Sequence, residues 1–381
     1  MKYSLSIFLF LISINNSIAQ HLVYQNFDIK NEEKNQIVSI ISSYINGNYK
    51  ASQTFSSFDI SNYKSIDLYK ESLSLDGSLY DIIFDVNVLS IKNEGENYIA
   101  NCLLYWHNND TENGKKTITI LGIVDFWVVK NEGEWKISNY LNYHTKNWSK
   151  ISVGNIEYIY NPEHPFDLQK AKFASDFYKN ILVYFNINSN EILRYYIGKN
   201  CYEIYKMCGF DYFIGEGSEN NLCAFYDEKN NIIYTSTAYG ELHHHEIVHV
   251  LNKYFENCNV LIKIGLSSYI NDGSSRNLPI FYHFDNFENY LKKEKLDFEN
   301  FENFENIDET TNISYITGYL ICNAIFRKGG KRLLLEYMNT TKEIDDLKVK
   351  LKKDFKIKNF ESFFLNEIKI TKKEGKSLLY F

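Results

Sequence analysis

The stretch Glu241-Leu242-His243-His244-His245-Glu246-Ile247-Val248-His249 holds residue types at a spacing that could carry chemistry. On a helix, His245 and His249 lie one turn apart on the same face. Two imidazoles so placed can grip a divalent ion such as zinc, which takes its ligands in a tetrahedron. Glu246 sits one step round the helix, where a carboxylate can take a proton from a metal-bound water. The chemistry in prospect is hydrolysis. The same letters also suit a structural helix that carries surface histidines.

A helix has to present these side chains, and the flanks supply one. Leu242, Ile247, Val248, Val250, Leu251, Tyr254 and Phe255 are apolar, and Gly240 precedes them, so the pattern predicts a buried amphipathic helix. Just before it, residues 231–239 read as an extended run, which is a candidate to pair with a substrate backbone. Further upstream, residues 154–187 read as a strand and then a long helix, with Pro162 and Pro165 in the joint. A strand at 191–197 and a helix at 200–208 follow. Beyond the metal helix, the Phe-Glu-Asn triplets of 298–306 place Phe298, Phe301 and Phe304 on one stripe against the core.

The N-terminal part has a different pattern. Ile37, Ile40, Ile41, Tyr44 and Ile45 predict a helix over 33–49. Four β-rich runs follow, at 80–92, 97–107, 116–130 and 134–144. Two Asn-Glu-Gly-Glu turns, at 93–96 and 131–134, separate them. Helix first, then a curved antiparallel sheet ending in VDFWVVKNEGEWKISNYL (124–141), resembles the cone-shaped domain of the nuclear-transport-factor-like superfamily. The resemblance covers 33–149 and implies an accessory binding or spacer module. Trp106, His107 and Trp127 either line a pocket there or pack its core.

His-Glu-x-x-His is the signature of zinc metallopeptidases, and the order of segments over 154–370 resembles a peptidase-MA-like gluzincin domain. The residues that carry the resemblance are the metal helix, KIGLSSYINDG at 263–273, and SYITGYLICNAIFRKGGKRLLLEYM at 314–338. The resemblance implies zinc on His245 and His249, Glu246 as the base, and Tyr315 as donor to the oxyanion. It also implies a glutamate as third ligand, and that place holds Ile264. Isoleucine has no lone pair to offer. Asp272, in Asn271-Asp272-Gly273, is the substitute ligand this reading names; a solvated turn aspartate is its other role. Glu241, one turn before His245, is a further candidate, or else serves the positive helix end. Asn252 lies on the ligand face and could orient a ligand. His243 and His244 are expected on other faces, exposed or at most behind the ligands.

The fold class expected is therefore α+β. A helix plus a cone-like antiparallel sheet comes first, then a zincin-like α+β domain with a mainly helical C-terminal part. Residues 1–19 read as a bacterial-type signal peptide: Lys2, an apolar run from Leu5 to Ile14, then Ser17-Ile18-Ala19. No later stretch is apolar for long enough to span a membrane. The mature chain is expected to be secreted or periplasmic. A net charge of −7 without a basic stripe argues against nucleic acid as a partner. Among the six cysteines, Cys201, Cys208 and Cys223 are close enough in sequence to offer a bridge, and buried free thiols are the alternative. The expected function is hydrolysis of peptide or protein substrates, impaired if Ile264 leaves the metal short of a ligand. The alternative is a zincin-fold binding or scaffold protein without catalysis.

Overall fold

The computed structural model describes residues 23–25, 31–46, 50–64, 85–110, 115–213, 223–270, 280–293, 297–303, 307, 311–375 and 377–381. Residues 1–19, expected to be a signal peptide, lie outside the described residues, as do Asp272, Phe304 and the side chain of His107. Two compact units divide the chain. One comprises residues to Tyr143 plus Cys208–Gly215, the other His144–Met207 plus Glu216–Phe381.

In the first unit, α1 (Glu32–Ile45) starts where Asn31 accepts hydrogen bonds from the amides of Glu33 and Lys34. Its apolar face buries Ile37, Ile41, Tyr44 and Ile45. The sheet runs β1 (Val23–Gln25), β2 (Asp85–Glu94), β3 (Asn97–Asp110), β4 (Lys115–Asn131), β5 (Glu134–Ser138). All pairs are antiparallel except β1 with β2. A later strand, β9 (Phe210–Phe213), also pairs with β4. Register shifts place an extra residue in β2 against β3, in β4 against β3 and in β9 against β4, the arrangement of a β-bulge. The last strand was expected to reach residue 144, but it stops at Ser138. There the Asn139 side chain accepts from the Leu141 amide at 2.9 Å and starts a helix, α4 (Tyr140–His144). Short helices α2 (Ala51–Thr54) and α3 (Ser57–Asn62) are tied to this corner by Asp59. Its buried carboxylate accepts from the Asn139 amide at 3.0 Å and from Asn142 Nδ2 at 3.1 Å.

The second unit is built on a mixed five-stranded sheet. Its strands are β6 (Ser149–Val153), β7 (Ile156–Tyr160), β8 (Leu193–Gly198), β10 (Ala224–Asp227) and β11 (Ile232–Ser236), in the order β10-β11-β8-β7-β6. The inner three strands are parallel and the outer two antiparallel. β7 and β8 are joined by α5 (Leu168–Tyr184), which Asp167 caps by accepting from the amides of Gln169 and Lys170. β11 is buried at all five positions, as strands covered on both faces are. β11 also has a partner along each edge. The 231–239 run therefore has no free edge on which to receive a substrate strand, which corrects that expectation. Among the described residues the sheet's edge beside it is β10.

After β8 comes α6 (Cys201–Met207). A disulfide joins Cys201 to Cys223, and Cys102, Cys208, Cys258 and Cys322 are buried outside that bridge. Downstream of β11 the described residues form helices: α7 (His244–His249), α8 (Val260–Tyr269), α9 (Ile280–Lys293), α10 (Ile313–Thr340), α11 (Ile344–Phe355) and α12 (Phe360–Glu374). Phe298 and Phe301 are buried on short 3-10 turns within Phe298–Asn303 that meet at a kink at Asn300. Gly265 of α8 meets Gly318 of α10, and a Cβ on either would fall inside the other's backbone. That close approach fixes the rotation of α8 and so decides which of its residues face α7.

Candidate metal centre

The chain leaves β11 and turns at Gly240, whose φ of +63° is open to glycine at little cost. Buried Tyr195 clamps the turn: its hydroxyl donates to Gly240 O and accepts from the His243 amide, both at 3.1 Å. Tyr158 donates to Glu241 O at 3.2 Å. These two phenols set where α7 begins. The α-helix is only six residues long and continues as a 3-10 turn over Val250–Tyr254, whereas the pattern predicted one helix to Phe255.

That single turn is enough to converge the ligands. Nε2 of His245 lies 3.1 Å from Nε2 of His249, with ring centroids 4.8 Å apart and planes at 79°. His245 is 8% exposed and Glu246 6%. The ligand atoms of His245, Glu246 and His249 all lie within 4.8 Å of one another, a possible metal-binding triad. Burial lowers the pKa of His245 well below the usual imidazole value, with His249 and His243 adding to the effect. Burial, then the charge of Lys263, lowers His249 to about 4. Both imidazoles are thus neutral at pH 7, the form that binds a metal. Burial pushes Glu246 up to about 8. Among the described residues its carboxylate has no hydrogen-bond or ion-pair partner. A buried carboxylate without a partner is costly, and a cation beside it removes that cost. The residues present therefore fit a divalent ion.

The surrounding residues fall into place unevenly. Tyr315, on the first turn of α10, stands beside the pair, its ring centroid 5.3 Å from that of His245. Asn312 caps α10 and accepts from the Ser314 and Tyr315 amides. The Asn252 amide sits 3.3 Å from His249 Nδ1. The group facing that nitrogen is Nδ2; with the side-chain amide flipped, Oδ1 would accept from Nδ1–H and leave Nε2 open to a metal ion. Glu241 is occupied elsewhere: its Oε1 accepts from the Asp167 amide at 2.7 Å and pairs with His164 Nε2 at 2.8 Å. It holds the start of α5 and is no ligand. His243 and His244 are partly buried instead of exposed. His243 stacks on Tyr239 at 3.7 Å, and His244 meets the Phe177 ring edge-on at 4.7 Å.

Sequence reasoning missed Ser267. Its Oγ lies 3.2 Å from His245 Nε2 and donates to Ile264 O at 2.8 Å. The available signal was spacing, since Ser267 is one turn beyond Ile264 on α8.

The pKa shifts give a testable pH dependence for the metal-free protein. Glu246 is protonated up to about pH 8 when folded and ionised above about 4.5 when unfolded, so it lowers stability as pH rises through that window. His243, at about 3, and His249, at about 4, stay neutral when folded. Unfolded histidines take up protons below about 6.5, so this pair lowers stability as pH falls. Chelated wild type is therefore expected to be most stable near pH 6.5 and to lose on the order of 2 kcal/mol by pH 8. Glu246→Gln should remove the loss above pH 6.5. Thermal melts of both proteins across pH 6–8 check this, and a wild-type melting temperature that stays level to pH 8 would contradict it.

No protein-family model matches the chain, and no curated protein matches it.

Proposed function

We propose that this chain is a zinc-dependent hydrolase of the metallopeptidase type that cleaves peptide bonds. The observation that carries the reading is Glu246, a buried carboxylate without a partner among the described residues, beside two converging imidazole nitrogens. Zinc, when bound, would polarise a water and the scissile carbonyl. His245 and His249 hold the ion, and Asn252 orients the His249 ring. Glu246 accepts the proton of the attacking water and passes it to the leaving amine. The Tyr315 hydroxyl offers a hydrogen bond to the oxygen on which negative charge develops. The resemblance to gluzincins supports this assignment of roles.

Export is part of the proposal. It rests on the signal-like residues 1–19, and the Cys201–Cys223 bridge supports an oxidising compartment. Among the described residues no helix is long and apolar enough to cross a membrane. The helix-and-meander unit at the N-terminus is read as an accessory domain of nuclear-transport-factor-like type.

One observation favours a second reading. Ile264 stands where the resemblance requires an anionic ligand. A protein that keeps the metal site and has lost turnover would serve as a binding or scaffold module. Exposure of a peptide library to the purified protein separates the two, with new termini read by mass spectrometry. Cleavage that a chelator stops and zinc restores supports the hydrolase. Full metal loading with no new termini supports the scaffold and overturns the hydrolase.

A further inference from the structure

We propose that Ser267 supplies the oxygen ligand that Ile264 cannot, so that the centre is held by two imidazoles and a serine hydroxyl. This rests on the metal reading of the centre and goes beyond it in naming the third protein donor. The contact of Gly265 with Gly318 sets the rotation of α8, and Ile264 and Ser267 share a face one turn apart. Ser267 is 1% exposed, and its Oγ lies 3.2 Å from His245 Nε2. A serine hydroxyl has one hydrogen and two lone pairs. The hydrogen is committed to Ile264 O at 2.8 Å, which leaves the lone pairs for the space beside His245. Metal bonds of about 2.0–2.1 Å in a tetrahedron put neighbouring donor atoms roughly 3.3–3.4 Å apart. The separations here, 3.1 Å between the two nitrogens and 3.2 Å from nitrogen to oxygen, are close to that edge. Two of the three edges among these donors, both meeting at His245 Nε2, are therefore near the spacing of one shell.

The exchange of a carboxylate for a hydroxyl has a chemical consequence. The protein donors are then neutral, so the ion keeps more of its charge. Binding is weaker than a glutamate would make it, and among the described residues Glu246 is the one acidic group of the cluster. Serine is also small enough to leave room for water beside it.

The test uses the full chain and cobalt(II) as a spectroscopic probe in place of zinc. Ser267→Cys puts a thiolate where the hydroxyl is, and thiolates ligate such ions readily. A thiolate-to-cobalt charge-transfer band in the near ultraviolet is expected for Ser267→Cys and is expected to be absent from wild type, Ser268→Cys and Ser267→Cys/His245→Ala. Ser267→Ala, a small and helix-compatible change, is expected to weaken zinc binding about 10-fold or more, with the melting temperature of the chelated protein preserved. If wild type takes up metal but Ser267→Cys gives no band and Ser267→Ala binds zinc as wild type does, the proposal is overturned and the metal centre stands. If wild type itself takes up neither cobalt nor zinc, the metal reading falls first and the proposal with it.

Discussion

Glu246→Gln is expected to keep its metal and to lose peptide hydrolysis by about 10²- to 10⁴-fold, the usual worth of a positioned general base. The substitution is close to isosteric, so the buried site keeps its packing. The amide has no basic lone pair at neutral pH, so the proton of the attacking water has nowhere to go. The burial that pushes Glu246 up to about 8 in the metal-free protein also explains its second effect. Without an ion, the carboxyl group must stay protonated or sit charged in a poor solvent. A cation beside it favours the ionised form, so metal uptake should release a proton near pH 7 from wild type and not from the variant. Metal content by mass spectrometry and turnover on one cleaved peptide measure the two effects separately. Turnover within a few-fold of wild type would remove Glu246 from the mechanism.

His249→Ala is expected to lower zinc affinity by at least about 100-fold, more than the 10- to 100-fold that loss of a residue behind a ligand costs. It removes one of the two nitrogens that stand 3.1 Å apart and leaves one imidazole and the neutral oxygen of Ser267. Asn252→Ala, which acts on His249 from behind, should fall inside the smaller range. Competition against a chromophoric chelator gives both affinities. Equal losses for the two variants would contradict the division of roles, and an unchanged affinity for His249→Ala would contradict the site.

What the sequence made legible follows the range of the interactions. The α+β class came from short-range pattern: alternation in β2 to β5, helical spacing in α1, and the run of strand and helix before α7. The histidine pair was legible because i and i+4 must converge on one turn. Their neighbours were not, because tertiary contacts decide them. Glu241 is drawn to His164 and the Asp167 amide, more than seventy residues away in the chain. β11 has β8, distant in the chain, on one edge, and on the other β10, its hairpin neighbour, which the run at 231–239 alone does not reveal. Ser267 faces His245 because two glycines let α8 and α10 touch, and neither glycine marks a functional site by itself.

The most direct measurement is the zinc content of purified mature protein beside that of His245→Ala, by mass spectrometry of the intact folded chain. Close to one zinc per wild-type chain is expected, and almost none in the variant. Wild type without zinc, or equal metal in both proteins, would contradict the metal centre.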